Sequence, residues 1–181
     1  MAGKWLEMLT KIEPPVASIA VMFDPETAPY AGSMLAFIDA AARSVKVAMR
    51  AAPVSNDADI ERVMTEVANT ERGGLVVLAS VFTVVHRNFI IALAAQRRLP
   101  AVYSFPFFAA DGGLMAYGAD ITDLFRRSAT YVDRILKGTG AGELPVQTPT
   151  KFELVINLKT AKALGVTITP TLLATADHVI E

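Results

Sequence analysis

The sequence predicts a three-layer α/β/α fold on a parallel sheet, from three observations. Apolar runs of strand length alternate with helical segments in the order β-α-β-α-β-α-β over roughly the first hundred residues. The connections between them are short. The first run, Val16 to Phe23, is apolar at nearly every position, as a strand covered on both faces requires. Right-handed crossovers then put helices on both faces. The first four strands are expected in the spatial order 2-1-3-4, with the first strand central.

Lys4 to Lys11 reads as a short helix, stopped by Glu13-Pro14-Pro15. After the first strand and the turn Asp24-Pro25, a helix is expected from Pro29 to Arg43. Lys46 to Val54 is the second strand, and its Lys46 and Arg50 suit a sheet edge. Asn56 or Asp57 caps the next helix. Ile60, Val63, Met64 and Val67 recur there at i, i+3, i+4 and i+7, which gives one apolar face on the sheet. Gly73-Gly74 closes that helix. Leu75 to Ala79 is the third strand. One helix is expected from Thr83 to Arg97, with Val84, Val85, Phe89, Ile90 and Leu93 inward. Pro100 ends it, and Ala101 to Phe105 is the fourth strand.

Beyond Gly113 the alternation changes. Leu114 to Tyr117 reads as a short strand. Asp120 to Lys137 is a helix with Asp120 and Asp123 at its start and Gly138 after its end. Ile121, Leu124, Phe125, Ser128, Tyr131, Val132, Ile135 and Leu136 share one side of it. Arg126, Arg127, Asp133, Arg134 and Lys137 take the other. A Gly/Pro-rich linker covers 138–149. A strand at Phe152 to Asn157, a helix at Leu158 to Leu164 and a last helix from Pro170 complete the chain.

Composition narrows the function. Hydrophobic residues are 52% and charged residues 19% of 181, enough for a packed core. Mean hydropathy is +0.39. No run is long enough to span a bilayer: the 14 uncharged residues Gly73 to His86 fall short of the about 20 needed. The surplus apolar surface therefore points to a protein contact. Net charge is −1, from 17 basic and 18 acidic residues, with no basic stripe for nucleic acid. No cysteine is present, which excludes thiolate chemistry and disulfides. Met1 to Ile12 lacks the apolar core of a signal peptide, so as written the chain is expected to stay where it is made.

Catalytic signals are sparse. His86 has no His or acidic residue at i+3 or i+4, which argues against a metal site. No G-x-S-x-G elbow, G-x-G-x-x-G fingerprint or Walker lysine occurs. No cofactor is expected. Loops at the expected strand ends, Asp24 to Tyr30, Ser80 to Thr83, Phe105 to Phe108 and Tyr117 to Asp120, bring Tyr30, Phe82, Phe105, Phe107, Phe108 and Tyr117 to one edge. Taken singly, these aromatics suit a core or an interface; taken together, they suit an apolar or aromatic ligand. Helix starts at Thr27 to Tyr30 and Thr83 to Val85 could receive a carboxylate. The expected ligand contacts are Thr27, Ala28 and Tyr30 at one end, Phe82, Thr83, Phe105 and Phe107 along the wall, and Tyr117 near a hinge.

The tail carries a resemblance. Ile135-Leu136-Lys137-Gly138, then Glu143 to Gly165 (ELPVQTPTKFELVINLKTAKALG) and the ending Pro170 to Glu181, resemble the C-terminal signature of ABC transporter substrate-binding proteins related to the tryptophan-binding TrpX type. Val21-Met22-Phe23-Asp24-Pro25 is similar to the strand and turn opening that family's C-terminal lobe. Tyr117-Gly118 is similar to its turn before the long helix. The resemblance implies a type I periplasmic binding lobe, a small organic solute such as an amino acid or an apolar or aromatic compound, an ABC permease as partner of the full-length protein, and a periplasmic location. It implies three parts: an α/β lobe at 1–118, a crossover helix at 119–140 toward an N-terminal lobe, and a returning tail at 141–181. Val81-Phe82 and Phe105 to Phe108 are more apolar than the loops relatives often carry. A stripe of Leu124, Phe125, Tyr131, Val132 and Ile135 without that other lobe is expected to drive homodimerisation. Two other readings stay open: a flavodoxin-like or hydrolase-like enzyme acting through Asp24 and His86, and a dimeric remnant that binds nothing.

Overall fold

The computed structural model describes residues 1–181. In chain order the elements are α1 (Ala2–Thr10), β1 (Ile12–Glu13), β2 (Ser18–Phe23), α2 (Ala31–Ser44), β3 (Ala48–Pro53), α3 (Asp57–Ala68), β4 (Gly73–Val77), α4 (Val81–Val85), α5 (Arg87–Gln96) and β5 (Ala101–Tyr103). Then come α6 (Pro106–Ala110), β6 (Met115–Ala119), α7 (Ile121–Leu136), β7 (Phe152–Asn157), α8 (Leu158–Leu164), β8 (Thr167–Ile168), α9 (Pro170–Leu173) and β9 (His178–Ile180).

Seven strands form one sheet in the order β3-β2-β4-β5-β6-β7-β9. The first five are mutually parallel, so the expected order 2-1-3-4 is the one observed. β7 runs antiparallel to β6, and β9 parallel to β7. β3 lies at an edge, as its charged positions suggested. A separate two-stranded ladder joins β1 to β8.

Successive side chains of β2 point to opposite faces, and each face has its own core. Ile19, Val21 and Phe23 join Trp5, Leu9, Ile38, Leu154 and Ile156 beneath α1, α2 and α8. Ala20 and Met22 join Ile60, Met64, Leu75, Val77 and Ile90 beneath α3 and α5. The periodic face read from α3 is fully used: Ile60, Val63 and Met64 are 0% exposed and Val67 2%. Its cap is Asn56, whose Oδ1 accepts from the Asp59 amide at 2.9 Å.

Four expectations need correction. The single helix from Thr83 to Arg97 is two, α4 and α5, divided at His86. The supposed loop Ser80 to Thr83 is the capped start of α4, because Ser80 and Thr83 form a reciprocal capping box. The break shifts the helical phase, so Val85 is 68% exposed and Ile91 is buried in its place. Phe105 to Phe108 is likewise a helix start, with Pro106 at the first helical position, where a missing amide costs nothing. The last helix stops at Leu173, and the chain then adds β9 to the sheet.

α7 stands apart: none of its residues is buried. The chain after it folds back along its side, held by Arg127 to Thr150 Oγ1 at 3.0 Å and by the Tyr131 hydroxyl donating to the Pro145 carbonyl. No helix is long and apolar enough to cross a membrane.

Candidate functional site

A cleft of about 420 Å³ opens at the carboxyl ends of β2 and β4. It is lined by Thr27, Ala79, Ser80, Val81, Val84, Val85 and Phe105. Parallel α/β sheets place ligands at this edge, and the volume lies within the about 300–1,000 Å³ of small-molecule pockets.

The turn after β2 builds one wall. Asp24 is buried and accepts the amides of Glu26 at 3.2 Å and Thr27 at 3.1 Å, plus the Thr27 hydroxyl. The Thr27 hydroxyl, then these amides, hold the Asp24 carboxyl below its usual range against the opposing effect of burial. Thr27 Oγ1 also receives the Phe82 amide at 3.5 Å, which links this turn to α4. Tyr30 donates its hydroxyl to the Ala79 carbonyl, and burial pushes its phenol pKa up.

α4 builds the second wall. Val81 and Val85 are 69% and 68% exposed and flank the cleft with half-buried Val84. The third wall is Phe105, stacked on Phe107 at 5.2 Å. The Arg87 guanidinium lies 5.9 Å from the Phe107 ring centre, and its Nε donates to Asp111 at 2.7 Å.

The structure thus gathers Thr27, Tyr30, Phe105 and Phe107 at or beside one opening. It places the other expected contacts elsewhere. Ala28 is 2% exposed, within the core under α2. Thr83 is 0% exposed, and its hydroxyl donates to the Leu78 carbonyl at 2.9 Å. Phe82 stacks on His86 at 4.0 Å, with only its amide turned to Thr27. Phe108, expected at this edge but not as a ligand contact, is buried against Tyr103. Tyr117 stacks on Phe152, and its carbonyl accepts from Trp5 Nε1 at 2.8 Å.

Sequence reasoning missed Ala79, Ser80, Val81, Val84 and Val85 as lining. The available signal was three valines at i, i+3 and i+4 straight after a Ser-x-x-Thr cap. That spacing puts all three on one face of α4, and this face borders the opening.

Asp24 and His86 make no hydrogen bond or ion pair with each other. His86 Nδ1 lies 2.8 Å from the Phe82 carbonyl and Nε2 lies 3.4 Å from Asp57. No three His, Asp or Glu side chains are grouped so as to hold a metal ion. The structure is an open α/β sheet fold with a mainly apolar cleft at its strand ends.

The chain belongs to the ABC transporter substrate binding protein family, whose model matches residues 1–180. No curated protein matches it. Among solved structures it is similar to a conserved domain protein from Vibrio cholerae, at 26% identity and a TM-score of 0.87, covering 98% of this chain and 60% of that one. It also resembles the ABC domain in complex with L-Trp from Streptococcus pneumonia, at 20% identity and a TM-score of 0.88, covering 99% and 60%. A third is the ligand-free, open structure of a substrate binding protein with adhesive properties from Clostridium difficile, at 17% identity and a TM-score of 0.69, covering 98% and 59%. The chain spans about 60% of the length of the first two structures.

Proposed function

We propose that this chain is a lobe of the solute-binding component of an ABC importer, performing reversible capture and no chemistry. The observation that carries the reading is the cleft bounded by Val81, Val84, Val85 and Phe105 at the strand ends. Its walls are apolar, and its polar rim is limited to Thr27, Ser80 and the backbone. That lining favours a small organic solute with a flat apolar body, such as an aromatic amino acid. The L-Trp carried by the streptococcal relative is of this kind.

In this reading the fold is a type I periplasmic binding lobe, the location is extracytoplasmic or periplasmic, and the partner of the full-length protein is an ABC permease. Residues 1–118 form the α/β lobe, 119–140 the crossover helix, and 141–181 the returning tail, whose β7 and β9 rejoin the sheet. Calorimetric titration with L-tryptophan, indole and L-leucine tests it. One wall of a cleft is expected to bind an aromatic ligand at about millimolar strength, with L-leucine weaker. Equal heats for all three, or none, would remove the reading.

A homodimer is a further part of the proposal. Leu124 and Tyr131 are half-buried, while Phe125, Val132 and Ile135 are 75%, 55% and 44% exposed on α7. An apolar stripe of this length is costly to leave in water. A two-fold axis through α7 would bury it against its own copy.

A further inference from the structure

On the sheet's opposite end, at the amino ends of β4 and β5, lies a second cavity of about 300 Å³. That is the space of roughly ten waters. Its walls include Val67, Leu99 and Leu164, and three arginines line it: Arg72, Arg97 and Arg98. We propose that this cavity binds a phosphate group, independently of the cleft at the other end of the sheet.

The arginines have no anionic partner of their own. Every other arginine except Arg127 and Arg134 pairs with a carboxylate, but none of these three lies within 4.0 Å of one. Arg97 Nε is buried and meets no acceptor. That nitrogen has no surface open to the cavity, whereas Arg72 and Arg98 are exposed at its wall, with their guanidinium groups free to meet an anion. Arg72 and Arg98 stand at φ +50° and +53°, a conformation uncommon for residues with a Cβ.

Helix ends explain part of this charge. α3, α5 and α8 all finish at the cavity, and each carboxyl end carries about half a negative charge. Three such ends amount to about −1.5 against three full positive charges, so a positive excess remains. A carboxylate offers two oxygens, whereas phosphate offers more acceptors and a second negative charge to three guanidinium forks. The apolar wall leaves room for an organic body beyond the phosphate.

Phosphorus NMR of inorganic phosphate titrated with the 181-residue chain tests this at low ionic strength. Saturable broadening is expected, weakening with added sodium chloride. Arg97→Gln, at the carboxyl cap of α5 where φ is negative, should lower the affinity about tenfold. Arg43→Gln, remote and paired with Asp39, should leave it unchanged. Co-sedimentation with phosphatidylcholine vesicles containing phosphatidic acid separates the sources. Recruitment of wild type but not Arg97→Gln assigns the phosphate to a lipid headgroup, and binding of free phosphate without recruitment assigns it to a soluble anion. Neither binding, or equal binding by wild type and Arg97→Gln, would overturn the site. The wild-type titration stands even if Arg97→Gln fails to fold.

Discussion

Gly118 on β6 faces the carbonyl of Ser104 so closely that a Cβ on Gly118 would lie 1.9 Å from that oxygen. Ser104 is itself fixed, its hydroxyl donating to the Val77 carbonyl at 2.9 Å. Both neighbours are main chain, so neither can swing away. Gly118→Ala is expected to destabilise the fold by about 2–3 kcal/mol through overpacking. Urea unfolding monitored by circular dichroism measures it, and an unchanged midpoint would contradict the contact.

Met64 lies at the centre of the core under α3, with no exposed surface. Met64→Ala should cost roughly 2–4 kcal/mol. Glu61→Ala on the same helix, exposed and unpaired, should stay within about half a kcal/mol. The two midpoints, measured side by side, check whether the buried face is the one described.

Val81 and Val85 are exposed and border the cleft, so a charge there should spare the fold and harm the ligand. Val85→Asp is expected to leave the melting temperature nearly unchanged and abolish calorimetric binding of L-tryptophan. His86→Ala should leave that binding almost intact, since His86 faces Phe82 and Asp57 rather than the opening. A tenfold loss from His86→Ala would bring the histidine back into the site.

Leu124→Asp combined with Val132→Asp should convert a dimer to a monomer in sedimentation velocity, with the sheet's circular dichroism retained. A wild-type monomer at micromolar concentration would remove the dimer from the proposal.

Acid should unfold the protein below about pH 4. Thr27 and its neighbours hold Asp24 low, Lys151 holds Asp120 low, and Lys11 holds Glu7 low. Each folded-state value lies below its unfolded counterpart. The stabilisation is therefore complete above the unfolded values near 4 and is lost as pH falls through the folded ones. Thermal melts from pH 7 to pH 3 should be flat at first and then fall. Asp120→Asn should flatten that fall.

Local patterns carried the parallel half of the sheet in the sequence. Ile60, Val63, Met64 and Val67 announce α3 by spacing alone, and Val16 to Phe23 announces a central strand by leaving no polar face. The break at His86 was hidden, because neither Pro nor Gly marks it. There His86 stacks on the Phe82 ring and sets its Nδ1 2.8 Å from the Phe82 carbonyl, a side-chain arrangement that no residue pattern marks as a helix end. β9 was hidden for a related reason: three residues become a strand only because β7 offers them a partner. The cleft was half legible. Thr27, Tyr30 and Phe105 followed from strand ends, whereas Val81 and Val85 needed the true start of α4.

The antiparallel entry of β7 beside β6 also fixes an order of assembly during synthesis. The five parallel strands are complete at Ala119, but the far edge of β6 gains its neighbour only when Phe152 to Asn157 emerge. The intervening stretch of about 30 residues takes a few seconds to translate at about 5–20 residues per second. During that interval β6 presents an open row of backbone amides and carbonyls next to an unburied α7. A nascent chain in this state offers both an edge for strand addition and an apolar helix to a chaperone. Its most aggregation-prone moment thus falls between the emergence of the sixth strand and that of the seventh.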